Sequence, residues 1–331
     1  MEPSIHQQTS EISISGYKTY EIIGSGGYGD IYAIQNKRTM NLYAIKTENY
    51  DSTPKYLQNE INMILSLPSE PFFPSIIKTG KTDLFQYYIM PLYGPSFSAL
   101  RREFEGEHFS ASTTYHIAIQ TLNIINCLHK RGIVHCDIKP CNFVLNPVYI
   151  GGITLIDYGL SSNWLDPITE RHIPNNVTGQ FKGTIKYASL NVHNGNLPSR
   201  RDDLISWFYS ILELLRGKLP WGEVRDRSLI FSCKQSITAD QLCHELPHQM
   251  KTIWNDLLSL SYDEEPNYSY YSNLIKEICQ ENNINDDDPL DWVSKPDVIA
   301  KLTYYPEFFD PRIAKTQNEI NEDVGCLCVI I

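Results

Sequence analysis

Residues 132–145 read GIVHCDIKPCNFVL. The stretch is apolar in outline, yet His135, Asp137, Lys139 and Asn142 interrupt it at fixed offsets. Polar groups in such a run are expected to bond to one another or to a ligand, because an unpaired buried polar group is costly. Taken singly, each of them reads as a turn or cap residue. The segment before it, STTYHIAIQTLNIINCLHKRG (112–132), sets Ala118, Leu122, Ile125 and Leu128 on one helical face and ends with basic residues and Gly132, the signature of a helix stop. A loop with chemistry in it therefore follows a core helix.

Working outward, LIDYGL (155–160) places Asp157 twenty residues after Asp137. Toward the N-terminus, IGSGGYGDIYAI (23–34) spaces Gly24, Gly26 and Gly29 as G-x-G-x-x-G. Glycines there let backbone N–H groups approach phosphate oxygens, but a dinucleotide fold would require a helix straight after them. Here the pattern continues as two short strands around NKRT (36–39), so the glycines cap a hairpin. The second strand ends in YAIK with Lys46, and Glu60 in YLQNEINMIL (56–65) lies on an amphipathic helix that can swing it back toward the amine. Four β-like runs, YKTYEII, GDIYAIQ, LYAIKTE and YYIMPL, and one helix near Tyr56 to Leu67 fill the first ninety residues. After that the periodicity turns helical, and DDLISWFYSILELLRG (202–217) is so broadly apolar that a central helix is expected, with Leu204, Trp207, Phe208, Ile211, Leu214 and Leu215 inside.

These motifs, in this order and at these separations, resemble the eukaryotic protein kinases over nearly the whole chain. The resemblance implies an α+β bilobal fold: an extension at 1–16, a kinase domain at 17–292 (small β-rich lobe 17–90, hinge 91–95, helical lobe 96–292) and a tail at 293–331. It implies that Asp137 accepts the proton of an attacking hydroxyl, that Lys139 neutralises charge on the transferring phosphoryl group, and that Asn142 and Asp157 ligate Mg2+. ATP would be held by Gly24, Gly26, Gly29 and the Lys46–Glu60 pair. Its adenine would meet Ile23, Ile31 and Ala44 above, Val144 below and Ile156 behind, with Met90 as gatekeeper and Leu92 as hinge donor. Tyr158 replaces the more usual Phe, and Pro91 stands where the hinge often has Glu. Retention of Lys46, Asp137, Asn142 and Asp157 argues against the alternative, a pseudokinase scaffold that binds partners without turnover.

KGTIKYASLNVHNG (182–195), SRRDDLISWFYSILELLRGKLPW (199–221) and EPNYSYYSNLIKEICQENNINDDDPLDW (265–292) resemble the casein kinase 1 family, including its tau-tubulin-kinase-like branch. That implies a Ser/Thr kinase, with Thr184 bonding between Asp137 and Lys139 and Asp203 tying the central helix to the catalytic loop. It also implies that Lys186, Arg200 and Arg201 line a pocket for an acidic or phosphorylated group on the protein substrate. Cys136 replaces an Arg that in many kinases pairs with an activation-loop phosphate, so that route of regulation is not expected, while catalysis is.

The chain has 331 residues, 42% hydrophobic and 20% charged, with a formal net charge of −11, which argues against a nucleic-acid footprint. Eight cysteines without a CxxC pair fit a reduced, cytoplasmic protein, and a monomer is expected; Cys127, Cys233, Cys243 and Cys279 read as core or half-buried. The opening residues lack a signal-peptide pattern, and QENNINDDDPLDW reads as a solvated acidic loop. The terminal CVII fits a C-a-a-X signal: Cys328 is expected to be prenylated, with geranylgeranyl favoured, and Cys326 palmitoylated, tethering the protein to the cytoplasmic side of a membrane.

Overall fold

The computed structural model describes residues 12–26, 29–146, 152–293, 295 and 297–299. Five strands, β1 (Tyr17–Gly26), β2 (Gly29–Asn36), β3 (Leu42–Asn49), β4 (Lys78–Lys81) and β5 (Phe85–Pro91), form an antiparallel sheet in the order β1-β2-β3-β5-β4. Side chains alternate along each strand. Tyr32, Ile34, Ile45, Tyr87 and Ile89 face one way and form a small outer cluster, while Ala44, Tyr88 and Met90 face the other and join the main core. Helix α1 (Leu57–Ser66) is the only α-helix inserted into this lobe among the described residues. The outer cluster is closed by Ile14, with Ile12 packed against it, so residues just before 17 add to the packing of this lobe.

The second lobe is helical: α2 (Phe97–Arg101), α3 (Ala111–Lys130), α4 (Leu190–His193), α5 (Arg200–Arg216), α6 (Arg227–Ser236), α7 (Ala239–Leu242), α8 (His248–Ser259) and α9 (Tyr268–Glu281). Ala118, Leu122, Ile125 and Leu128 on α3 are fully buried, as their spacing requires. Helix α5 is buried without interruption from Asp202 through Leu214, and Leu215, expected inside, sits half-buried at the rim. Its N-terminus is closed by a capping box in which Ser199 and Asp202 satisfy each other's backbone. Between the lobes lie the short strand pairs β7 (Phe143–Leu145) with β8 (Ile153–Leu155) and β6 (Ile133–Val134) with β9 (Ser162–Asn163). Asp137, Lys139 and Asn142 lie between β6 and β7, and Asp157 between β8 and β9.

The acidic segment before Trp292 is not a free loop. Asp291 accepts from the Ser110 N–H and hydroxyl, each at 2.7 Å, and Ser110 in turn caps α3 through the Thr113 N–H. Asp288 accepts from Ser112, and Trp292 packs on Phe97 and Phe109. Ile299 is buried in the same core, so packing continues past the expected edge at 292. Cys326 and Cys328 lie outside the described residues. Among the described residues no helix is long and apolar enough to cross a membrane.

Candidate active site

The glycine-rich hairpin closes with Gly26 opposite Gly29. Gly29 has φ +129°, and a Cβ there would lie 1.8 Å from the Thr47 carbonyl oxygen, so no other residue fits this turn. Gly24 pairs with Ile31 in the next strand. On β3, buried Lys46 meets Glu60 at 2.7 Å and Asp157 at 2.9 Å. Burial alone would lower the lysine pKa; the two carboxylates outweigh it and hold the ammonium charged. Burial likewise works to raise Asp157, but Lys46 and the cations beyond it leave that carboxyl below its ordinary value.

Two residues that the sequence did not flag aim α1 at this cluster. Glu48, two residues past Lys46 on β3, accepts from the Tyr56 and Leu57 N–H groups and so caps the helix; Gln86 holds its other oxygen at 2.7 Å. Asn59 donates to the carbonyls of Gly159 and Ser161, fixing α1 to the segment that carries Asp157. A carboxylate in a strand carries no periodic signal, which is why Glu48 passed unnoticed.

The loop from His135 to Asn142 is held from below by Asp203, whose oxygens accept from the His135 N–H at 2.6 Å and the Cys136 N–H at 2.9 Å. His135 takes one tautomer: Nδ1 accepts from the Asp137 N–H, and Nε2 donates to the Ile156 carbonyl. Cys136 sits at φ +67° and its thiol, which burial pushes up to about 12, faces Ser162 rather than Asp137. Its carbonyl lies 2.5 Å from where a Cβ on Gly183 would be, so Gly183, at φ +103°, lets the two segments touch. That contact sets Thr184 between Asp137 and Lys139. Thr184 donates to Asp137 Oδ1 at 2.7 Å, and Lys139 Nζ reaches Asp137 Oδ2 at 2.6 Å and the Thr184 hydroxyl at 3.0 Å.

The Asn142 amide nitrogen donates to the Asp137 carbonyl at 2.9 Å, and its oxygen, which accepts only the Cys141 thiol at 3.7 Å, is the end that can meet a ligand. With Asp157 it makes a pair of hard oxygen donors, which suits a hard divalent cation that completes its shell with phosphate and water. Ala44 and Met90 are cross-strand partners and both buried, Val144 is buried, and Ile23, Ile31 and Leu92 are partly buried against the main core. Ile156 is half-buried. Leu92 is the first residue past the last sheet pair, Tyr43 with Pro91.

The fold thus holds a Lys–Glu–Asp cluster, a Gly-closed hairpin and an Asp–Lys–Thr triad, and the sequence profile of the protein kinase domain matches residues 17–285. The chain belongs to the protein kinase family. This kinase domain is 32% identical to a probable serine/threonine-protein kinase of Dictyostelium discoideum over 272 residues, 82% of this chain and 55% of that protein. It is 31% identical to casein kinase I homolog 2 of Schizosaccharomyces pombe over 303 residues, covering 87% and 68%. With serine/threonine-protein kinase spe-6 of Caenorhabditis elegans the identity is 28% over 323 residues, covering 93% and 84%. Protein kinases work on ATP with a divalent cation, and the donors described above fit both.

The expected anion pocket needs correcting. Lys186 is paired with Glu213, near the C-terminal end of α5, whereas Arg200 and Arg201 start that helix. Each of the three cations is already engaged by a different partner within the fold. Arg200 is buried, stacks 3.8 Å over Trp164 and donates to the Asp263 carbonyl; Arg201 donates to the Leu260 carbonyl. Both arginines brace the helical lobe.

In this kinase the Tyr158 ring lies against His135, with ring centroids 5.0 Å apart, and its hydroxyl is buried without a hydrogen-bond partner. Tyr158→Phe keeps the ring and removes that orphan. Chemical denaturation is expected to show a gain of about 1–2 kcal/mol with activity unchanged; a loss of stability would mean the hydroxyl has a partner.

Proposed function

We propose that the protein is an active serine/threonine kinase of casein kinase 1 type that transfers the γ-phosphate of Mg-ATP to hydroxyls of acidic or previously phosphorylated protein substrates. The observation that carries the reading is the convergence of Asp137, Lys139 and Thr184 within hydrogen-bond distance of one another. ATP supplies the phosphoryl group. Asp137 orients the incoming hydroxyl and takes its proton, Lys139 offsets charge that develops on the transferred group, and Asn142 and Asp157 hold Mg2+. The likeness to casein kinase I homolog 2 supports the subfamily.

An acidic preference is supported by cations other than the arginines of α5. Half-buried Lys182 directly precedes Gly183 and Thr184, and exposed Arg227 stacks 4.5 Å over Phe181 in the same segment. These charges stand out on a chain of net charge −11. Arg recognises phosphate or carboxylate in pairs of bonds. In a peptide assay with labelled ATP, label is expected on Ser and Thr. Lys182→Ala with Arg227→Ala should lower kcat/KM on an acidic peptide about tenfold while changing a neutral peptide less than twofold. Equal losses on both peptides would reject the acidic preference, and label on Tyr alone would reject the serine/threonine reading.

A further inference from the structure

The segment from Thr184 to Ala188 belongs to neither helix nor sheet, yet it presents Thr184 to Asp137 and Lys139. Its carbonyls are satisfied one after another, and mostly by side chains from distant helices. The Thr184 carbonyl accepts from the N–H groups of Tyr187 and Ala188. Trp221 Nε1 donates to the Lys186 carbonyl at 2.8 Å, and the Ser206 hydroxyl to the Tyr187 carbonyl at 3.0 Å. The two that remain, Ile185 and Ala188, are both held by Lys234 Nζ, at 2.8 and 2.6 Å.

Lys234 is the unusual member of this set. It is 4% exposed, and its amine lies about equally far from the Tyr209 and Trp221 rings, 5.1 and 5.2 Å. Among the described residues no carboxylate pairs with it. Its remaining polar neighbour is His193 Nε2 at 3.3 Å, which also lies 3.2 Å from the Ile185 carbonyl. Burial draws the Lys234 ammonium down to about 7 and His193 down to about 4. A neutral amine still has two N–H donors, one for each carbonyl, and a lone pair for a His193 N–H. Without that amine the Ala188 carbonyl would lose its donor in a dry site, and the Ile185 carbonyl would keep only the longer His193 contact.

We propose that Lys234 is a positioning residue for the protein substrate: by holding the Ile185 and Ala188 carbonyls it fixes the segment that places Thr184 beside Asp137. The proposal rests on the kinase reading above, and it assigns to α6 a part in catalysis although α6 touches neither ATP nor the reactive groups. Lys46, Glu60 and the glycine hairpin sit in the other lobe, so nucleotide binding is not coupled to this bracket.

The test uses the full chain with Lys234→Met, which keeps length and removes both donors, and Ser206→Ala, which removes only the bond to the Tyr187 carbonyl. Steady-state kinetics on a peptide substrate and the Kd of a fluorescent ATP analogue are measured on the same folded samples. Lys234→Met is expected to lower kcat/KM for the peptide tenfold or more, with nucleotide Kd within twofold; Ser206→Ala is expected to move kcat/KM the same way by a smaller factor. Should Lys234→Met fail to fold, Lys234→Gln, which shortens the side chain and so weakens both bonds, carries the same comparison. Peptide kcat/KM within twofold of the unaltered protein in every folded variant, or equal loss of peptide turnover and nucleotide binding, would overturn the proposal. Absence of transfer by the unaltered protein would instead remove the functional reading, and this proposal with it.

Discussion

Asp137→Asn is expected to lower phosphoryl transfer to protein by about a thousandfold or more, with the fold and nucleotide affinity retained. Asn has the size of Asp and keeps an oxygen to accept from Thr184, but it cannot take a proton and it ends the ion pair with Lys139. General-base catalysis contributes on the order of 10²–10⁴ in rate, and loss of Lys139's orientation adds to that. In the function proposed above, nucleotide would rest on the other lobe, the hinge, Val144 and Ile156 and not on Asp137, so the Kd of an ATP analogue should stay within about twofold. Turnover of an acidic peptide close to that of the unaltered protein would show that Asp137 is not the group that handles the proton.

The second large effect is structural. Asp203 is 1% exposed, and its carboxylate accepts from the His135 and Cys136 N–H groups and meets His129 Nε2 at 3.0 Å. Asp203→Ala leaves two buried backbone donors and a buried imidazole nitrogen without an acceptor. Each orphan costs about 1–3 kcal/mol, so a total loss of at least about 3 kcal/mol is expected, seen as a fall in Tm of about 10 °C. Activity should fall further than the unfolded fraction explains, because the loop that bears Asp137 hangs from this carboxylate. Asp203→Asn keeps one acceptor and should cost less. A stability change below about 1 kcal/mol for Asp203→Ala would mean the loop is held by something else.

Much of the cleft could be read from the chain because its chemistry is local in sequence or linked by fixed offsets. Asp137, Lys139 and Asn142 share one short loop, and Lys46 and Glu60 meet because a strand is followed directly by a helix. The central helix was legible because apolar residues recur all around α5, which is buried nearly throughout. What escaped was set by partners far away in sequence. Arg200 and Arg201 look like free surface cations until Trp164, Asp263 and Leu260 fold over them. Lys186 looked ready for a substrate phosphate, and nothing in TIKYAS reveals that Glu213 already neutralises it. Strand β4, with the sequence KTGK, was not foreseen either; it is a short edge strand with mostly exposed residues, and such strands carry charge in place of an apolar alternation. Lys234 is the extreme case, since an isolated lysine on an amphipathic helix reads as solvated.

The latch between Asp291 and Ser110 bears on where this domain can change during evolution. Similarity to the family profile ends at residue 285, yet the following turn reaches back to the start of α3 and inserts Trp292 beside Phe97 and Phe109. Point changes at exposed Asp286 and Asp287 alter only surface charge. An insertion or deletion between α9 and Trp292 would shift Asp291 off the helix end and the indole out of its slot at the same time. Lineages descending from this sequence are therefore free to vary the chemistry of that turn while its length stays constant.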